Sequence, residues 1–209
     1  IAELLPTRQR NLGKNVMRLK LFVILLTVIS LVTVMVVGKN YYFPKEKDPI
    51  HIAFAGPMSG EGATAGQLMT QAIQLYLDSV NAKGGINGKK ITLDIYDEQN
   101  NTAEAKTKAI EIIKQHQAVA VIGHWYSSTS ISAGKIYKQY GIPAITPGST
   151  NINVTKNNPW YFRNIFNANA SGQFLANYVK KVLQQNTVSV IHEDEAYGAY
   201  LAQVFTEAS

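Results

Sequence analysis

The sequence contains no cysteine. This absence excludes a disulfide framework, a zinc site with thiolate ligands and a lipid anchor attached to an N-terminal cysteine. Because 46% of the residues are hydrophobic, the chain can bury a core without such cross-links. The absence of cysteine leaves the redox compartment open.

Excess charge is also scarce outside the N-terminal part of the chain. Residues 1–49 contain eight Lys and Arg against three Asp and Glu, which gives +5, whereas residues 50–209 contain twelve against eleven, which gives +1. A protein that binds nucleic acid needs a broad basic face to neutralise phosphates. We therefore predict no nucleic-acid partner, and we assign the basic balance to the N-terminal tail.

Motifs for cofactor and metal binding are missing as well. "GPMSGEG" at 56–62 has neither the Lys-Ser/Thr end of a phosphate-binding loop nor the G-x-G-x-x-G spacing, and we interpret it as a turn that lines a cleft. "HEDE" at 192–195 resembles a metal cluster, but adjacent residues of an extended segment point to opposite sides, which favours a solvated loop. We predict no cofactor and no metal site.

The residues that could catalyse a reaction form no known arrangement. His124 lies close to Ser127, but there is no G-x-S-x-G elbow and no orienting acid is evident, so packing of His124 is the preferred interpretation. Asp97 and Glu98 are predicted to cap a turn rather than to form a general acid–base pair. We predict that the protein is not an enzyme; an exported hydrolase of doubly wound fold is the alternative.

An uncharged apolar run, "LFVILLTVISLVTVMVV", occupies residues 21–37. Its 17 residues would extend roughly 26 Å as a helix, which is enough for a short membrane span. Since basic residues dominate before the run, the positive-inside rule predicts a cytoplasmic tail at 1–20, a transmembrane helix at 21–38 and an external remainder, periplasmic or extracellular. A cleaved secretory signal is the competing interpretation, and both export the rest of the chain.

A polar linker is predicted at 39–49, with Tyr41 and Tyr42 at the outer membrane interface. After it, strand and helix patterns alternate. The predicted strands are 50–56, 91–97, 118–123 and 142–146, and the predicted helices are 62–82, 101–116 (with Thr102 as N-cap) and 127–141. Such alternation is typical of an α/β fold with a parallel sheet, right-handed crossovers and ligands at the carboxyl ends of the strands.

A break in the pattern separates two lobes. Residues 157–170 have little periodicity, and after them we predict a helix at 172–185, a strand at 187–192 and a helix at 196–208. We assign 50–165 to a first ligand-binding lobe and 166–209 to the start of a second lobe, which is too small for a core of its own. Because the sequence begins at Ile1, we expect a fragment truncated at both ends.

Hydroxyl side chains follow two of the predicted strands. Ser127 stands where the strand at 118–123 gives way to a helix, whose N-terminus carries unpaired N–H groups and partial positive charge. Such an end can bind a carboxylate, although a plain N-cap is the competing interpretation.

A second group of small and hydroxyl residues, Gly148, Ser149 and Thr150, follows the strand at 142–146. Because neighbouring parallel strands end at one crevice, the two loops can grip one carboxylate together. Gly148 would allow a close approach to the backbone, and Trp125 and Tyr126 would form an apolar wall.

With these residues in view, the chain from about residue 50 resembles the branched-chain amino-acid (leucine/isoleucine/valine) binding proteins of ABC transporters and their type I periplasmic-binding relatives. The similarity is carried by "NAKGGINGKK" at 81–90, "GHWYSS" at 123–128 and "PGST" at 147–150. The resemblance implies two Rossmann-like lobes that close on a hinge over an amino acid or a similar small polar solute.

The resemblance also implies roles for single residues. Ser127 matches a hydroxyl that holds the ligand carboxylate, Gly148 a small residue whose backbone meets the ligand, Thr150 a second hydroxyl, and Tyr197 an aromatic of the second lobe that closes over the ligand. An aromatic expected near Ala65 is absent, and the family's acidic partner for the ligand ammonium would lie beyond Ser209. Relatives of the group bind amides and urea, so the ligand class stays open.

Two physiological roles fit this resemblance. The domain would deliver a solute to an ABC permease, or it would act as a receptor sensor for a fused signalling module. The retained membrane helix favours a receptor or a tethered binding protein. A domain that uses the crevice to bind another protein is a further alternative.

Overall fold

A computed structural model describes residues 5–42 and 47–209, with side chains described at 17–37 and 47–209. The chain divides into two compact units at residues 46 and 47. Residues 1–4 of the predicted tail, residues 43–46 of the predicted linker, and the side chains of Tyr41 and Tyr42 lie outside what is described.

The first unit contains one long helix, α1, Leu5–Tyr42. Within it, Met17–Val37 is long and apolar enough to cross a membrane, and a signal sequence near an N-terminus has the same properties. Thr27 and Thr33 donate their hydroxyls to the carbonyls of Ile24 and Ile29, both at 2.8 Å, so these polar side chains are satisfied within the helix as expected. Helix α1 continues through residues 39–42, which the sequence analysis assigns to the linker.

The second unit is built on a five-stranded parallel sheet with the order β2-β1-β3-β4-β5. Its strands are β1 Ile50–Gly56, β2 Ile91–Asp97, β3 Ala118–Gly123, β4 Ala144–Thr146 and β5 Tyr161–Arg163. Its helices are α2 Ala63–Ala82, α3 Thr102–Gln115, α4 Ser127–Tyr140, α5 Ala168–Lys181 and α6 Ala196–Ala208, with a 3₁₀ turn at Ile152–Val154. The predicted α/β class and the first four strands are confirmed.

The core lies between the sheet and helices α3 and α4. The crossovers β2–β3 and β3–β4 run in the same direction along the sheet, and right-handed connections therefore place both helices on one face. Small side chains on both sides of this interface allow close packing. The strands contribute Ala53, Ala55, Val121 and Ala144, and the helices contribute Ala105, Ala109, Ile112 and Ala133. Helix α2 lies in the crossover from β1 to β2, which runs in the opposite direction along the sheet and therefore places α2 on the other face. Phe54 is buried on that face.

Strand β5 is missing from the sequence-based prediction. It pairs with β4 through the register Ala144↔Tyr161, Ile145↔Phe162 and Thr146↔Arg163. A strand of three residues is too short to show alternation, and the apolar run "WYFRNIF" hides its period. The first lobe therefore has five strands where four were expected.

The predicted strand at 187–192 is wrong. Residues 183–195 form no helix or strand, and Val188, Val190 and Ile191 are exposed. A strand needs a neighbour to accept and donate its backbone hydrogen bonds, and no described residue provides one for this segment.

Two helix starts also differ from the prediction. Helix α3 is capped by Asn101 and not by Thr102, because Asn101 Oδ1 accepts hydrogen bonds from the N–H groups of Ala103 and Glu104. Helix α5 begins at Ala168 and not at 172, because Asn167 Oδ1 accepts from Ala170 N at 3.0 Å.

Candidate functional site

The carboxyl ends of β3 and β4 lie side by side, with Val121 opposite Ala144 and Ile122 opposite Ile145. The loops that follow these strands contain five of the seven predicted ligand residues, and a sixth, Ser127, is the first residue of the helix after β3. Backbone N–H of Asn151 lies 3.4 Å from Ser127 Oγ, so the two loops meet. The arrangement predicted from the sequence, two hydroxyl-bearing loops at one edge of the sheet, is therefore present.

Ser127 is the first residue of α4 and does not cap it. The N-cap position belongs to Tyr126, in extended conformation, and among the described residues no capping side chain accepts a hydrogen bond from the first turn. The N-cap interpretation of Ser127 is thus wrong. The first N–H groups of α4 keep their capacity to bind an anion, and the Ser127 hydroxyl lies beside them.

Thr150 places a hydroxyl in the same region. Its side chain is 7% exposed, and its Oγ1 has no hydrogen-bond partner among the described residues. Its carbonyl is fixed from two sides, because it accepts hydrogen bonds from Ala168 N at 2.8 Å and from Arg163 Nη1 at 2.5 Å. Burial lowers the pKa of Arg163, but a guanidinium keeps its charge in proteins. The backbone of Thr150 is therefore rigid while its hydroxyl is available.

Ser149 has a different part in the site. Its Oγ is buried, donates to the carbonyl of Trp125 at 2.9 Å and lies 2.6 Å from Ser130 Oγ. Its N–H donates to Thr146 Oγ1 at 2.9 Å. These bonds to the protein make Ser149 a brace between the two loops.

Gly148 is required by its neighbour Trp125. A Cβ at residue 148 would overlap the indole ring of Trp125. Trp125 thus packs closely on the loop after β4, and contact of a ligand with the backbone of Gly148 stays a prediction. Trp125 and Tyr126 are both partly buried.

The surroundings of Tyr126 are acidic. Burial raises the pKa of Tyr126, and the nearby carboxylates of Glu61, Glu98, Glu193 and Glu195 raise it further. Four carboxylates from three separate loops therefore act on one side chain beside the loop after β3. Negative potential next to a group of N–H donors suits a ligand that carries both a carboxylate and a cation.

Tyr197 is placed apart from the strand-end hydroxyls. It is 49% exposed at the start of α6 and lines a groove of about 490 Å³ between α5, α6 and residues 188–193. The start of α6 is nevertheless tied to the site, because Asn151 Nδ2 donates to the carbonyl of Ala196 at 2.6 Å.

Two acids that follow β2 behave differently from each other. Asp97 accepts hydrogen bonds from Ser59 Oγ and from the N–H groups of Met58, Ser59 and Gln99, so it caps turns as predicted. The prediction for Glu98 is wrong: its carboxylate is fully buried and lies 3.6 Å from His124 Nδ1.

His124 itself is packed inside the protein, as predicted. Its Nε2 lies 3.0 Å from the hydroxyl of Tyr137. This nitrogen is therefore engaged with Tyr137 and is not positioned as a base for Ser127. Sequence reasoning missed Asn151, Ser130 and Thr146 in this network. For Asn151 a signal existed, because Asn after a strand end commonly accepts backbone hydrogen bonds in turns.

Comparison with known proteins agrees with this architecture. The family model for periplasmic binding proteins matches residues 49–209. The chain belongs to this family. The "amino acid binding protein" of Pseudomonas aeruginosa is 38% identical over 152 residues, which cover 72% of this chain and 41% of that protein. The leucine-specific-binding protein of Salmonella typhimurium is 32% identical over 157 residues, which cover 75% of this chain and 42% of that protein.

Solved structures of periplasmic binding proteins have the same fold. The leucine-binding protein LivK of Thermotoga maritima superimposes with a TM-score of 0.70 at 26% identity, over 76% of this chain and 45% of that protein. The type I periplasmic-binding fold expected from the sequence is confirmed. This chain spans less than half the length of the relatives that it matches.

Proposed function

We propose that residues 50–209 take part in binding the carboxylate of an amino acid, or of a similar small polar solute, at the carboxyl ends of β3 and β4. One observation carries the proposal: the buried Thr150 hydroxyl without a partner shares an edge of the sheet with Ser127 and the uncapped start of α4. Together they offer hydroxyl and N–H donors to one anion.

The names of the relatives support an amino acid as ligand. An amino acid binding protein and a leucine-specific-binding protein are both more than 30% identical to this chain. The carboxylates of Glu61, Glu193 and Glu195 near Tyr126 fit the ammonium end of such a ligand. We propose uptake through an ABC permease as the physiological role; a receptor sensor with a fused signalling module is the second candidate, favoured by the apolar helix.

A hydrolase has no observation in its favour. The residue that would activate Ser127 is fully buried and contacts Tyr137 and Glu98 instead. Ser127 Oγ accepts a hydrogen bond from Asn151 N at 3.4 Å, and none of the described hydrogen bonds joins Ser127 to a base that would take its proton.

Ligand titration followed by ¹⁵N NMR tests the binding site. We expect L-leucine or L-alanine to shift the amide signals of Ser127, Thr150 and the first turn of α4, and acetamide and urea, which lack a carboxylate, to serve as comparison ligands. The double substitution Ser127→Ala/Thr150→Val should weaken the affinity at least about tenfold, because each lost hydrogen bond to a charged group contributes roughly 1.5–3 kcal/mol.

Ser132→Ala is the matched control for this titration, since Ser132 lies on the same helix but donates to the carbonyl of Thr102, away from the loop after β4. Unchanged affinity in the double variant would reject the proposed site. Shifts confined to the groove beside Tyr197 would place the ligand elsewhere.

The membrane tether is a separate proposal. We propose that residues 21–37 stay in the mature protein and anchor it, with the N-terminus in the cytoplasm and the binding domain outside. The apolar stretch Met17–Val37 has its side chains exposed over its whole length in the structure, as a lipid-facing helix requires.

Since the native chain lacks cysteine, single cysteines report the topology without background. We expect a membrane-impermeant maleimide to label Asn87→Cys, in the turn before β2, and not Asn11→Cys in intact cells. Alkaline extraction should leave the protein in the membrane. If mass spectrometry instead finds a soluble product whose N-terminus lies after residue 37, residues 21–37 belong to a cleaved signal.

A further inference from the structure

Glu98 is a fully buried carboxylate directly after β2, at the same edge of the sheet as the proposed ligand site. Its N–H donates to the carbonyl of Gly56 at 3.1 Å, and its carbonyl accepts from Asn101 N at 2.8 Å. The backbone is thus fixed on both sides of the residue. Neither carboxylate oxygen has a hydrogen-bond partner among the described residues. A buried carboxylate without a donor is costly, so its position calls for a partner.

His124 is the ionisable group that faces Glu98. Its Nδ1 is also buried and unpartnered, at 3.6 Å from Glu98 Oε2. Its Nε2 lies 3.0 Å from the hydroxyl of Tyr137. Burial raises the pKa of Tyr137 well above its ordinary value, and Tyr161, Glu98 and Tyr96 add to this effect. Tyr137 therefore keeps its proton and can donate it to Nε2, which leaves Nδ1 as the N–H that faces Glu98.

The backbone of His124 connects this buried pair to the ligand loops. Its carbonyl accepts hydrogen bonds from Thr146 Oγ1 at 2.7 Å and from Ser130 Oγ at 3.2 Å, and Ser149 Oγ lies at 3.3 Å. Its N–H donates to the hydroxyl of Tyr161 at 2.8 Å. One carbonyl therefore gathers hydroxyls from α4, from the end of β4 and from the loop after β4. A shift of the His124 backbone would loosen all three hydrogen bonds.

We propose that Glu98 is a positioning residue of the ligand site. Its carboxylate faces the Nδ1–H of His124 at 3.6 Å and attracts it electrostatically, which keeps the ring in place and with it the backbone whose carbonyl joins the two hydroxyl-bearing loops. The inference rests on the proposed function for its effect on affinity, but the state of His124 can be measured without any ligand. Glu98 does not touch the solute, because it is fully buried beneath the loops.

Two substitutions separate charge from hydrogen bonding. Glu98→Gln keeps the shape and an acceptor oxygen but removes the charge, whereas Glu98→Met removes both. Glu111→Gln is the matched control, because Glu111 lies on α3 and pairs with Lys108 at the surface. We expect the affinity to fall by roughly three- to tenfold in Glu98→Gln and by at least about tenfold in Glu98→Met, with no change in the control.

The deciding measurement is the ¹⁵N NMR spectrum of the histidine rings in the ligand-free chain, purified with α1 in detergent micelles. We expect a protonated Nδ1 for His124 in the wild type and transfer of that proton to Nε2 in Glu98→Met. The signals of the other three histidines should not move. The amide signals of Trp125, Ser130 and Ser149 should shift together in this variant.

Each outcome bears on one of the two proposals. An Nε2–H tautomer in the wild type, which requires no variant to fold, would overturn the role of Glu98. So would unchanged affinity in a folded Glu98→Met protein. If the wild type binds none of the tested solutes while His124 behaves as expected, the proposed ligand class fails and the positioning of the loops by Glu98 stands.

Discussion

The two faces of the sheet are made by the same strands but are buried to different degrees. On the face that packs against α3 and α4, Ala53, Val121 and Ala144 are almost fully buried. On the opposite face, Phe54 is 1% exposed beneath α2, whereas Ile145 is 37% and Phe162 is 52% exposed. The register places these last three residues on one face, together with Ile95 of the edge strand β2, which is 51% exposed.

The difference shows that crossover direction, and not strand sequence, decides which apolar residues are buried. Two crossovers in one direction put two helices on one face, and the single crossover in the other direction puts one helix on the other face. Ile145 and Phe162 are as apolar as the core residues. They are exposed because no described helix crosses over β4 and β5 on that side.

The largest expected effect is a difference in stability between two isoleucine-to-alanine variants, one in the core between α3 and the sheet and one on the opposite face of the sheet. Ile112 is 1% exposed on α3. We expect Ile112→Ala to lower the free energy of unfolding by roughly 2–5 kcal/mol, because it leaves a cavity in a packed core. Urea denaturation followed by the fluorescence of Trp125 and Trp160, the two tryptophans of the chain, measures the change.

Ile145→Ala is the same substitution on the open face and provides the control. Since Ile145 already contacts solvent, we expect it to cost about 1 kcal/mol or less. Equal losses in the two variants would contradict the comparison and would mean that another part of the protein covers β4 in solution.

A smaller effect on stability is expected in the loop between β1 and α2, which Asp97 holds through hydrogen bonds to Met58 and Ser59. Burial raises the pKa of Asp97. Hydrogen bonds from Ser59, Met58 and Gln99 together lower this pKa by more than burial raises it, so that the net shift is downward. The carboxylate therefore stabilises the fold above the ordinary pKa of Asp, about 4, and the contribution is lost as the pH falls through the lowered value.

Ser59→Ala removes the side-chain donor to Asp97. We expect the free energy of unfolding to fall by about 1 kcal/mol or less at pH 7, and the difference from wild type to narrow below about pH 4. Denaturation at pH 7 and pH 3 tests this, with Ser79→Ala on the exposed face of α2 as the control. A loss that stays constant with pH would show that Ser59 acts without Asp97.

The fold was predictable where local pattern and tertiary structure agree. Strands β1–β4 and helices α2–α4 follow from periodicity, glycine stops and cap residues. Strand β5 and the segment 187–192 were not predictable, because strand formation depends on a neighbour and not on composition alone. Val188 and Val190 have the alternation of a strand, yet they have no partner among the described residues.

The candidate site was predictable in outline for a similar reason. The carboxyl ends of parallel strands lie at one edge of the sheet. Hydroxyl-bearing residues after two neighbouring strands therefore come together there, whichever hydrogen bonds their side chains make. What each hydroxyl bonds to was not predictable: Ser149 braces the backbone, and the Thr150 hydroxyl has no partner among the residues that the structure describes. Glu98 had no local signal, since two acids after a strand usually lie in water.

Asn151 gives the molecule one further property. Its N–H lies beside Ser127, its carbonyl accepts from Arg163, and its amide reaches the carbonyl of Ala196. A movement of α6 away from the sheet would stretch this 2.6 Å bond. The side-chain amide of Asn151 therefore links the loop after β4 to the helix that carries Tyr197.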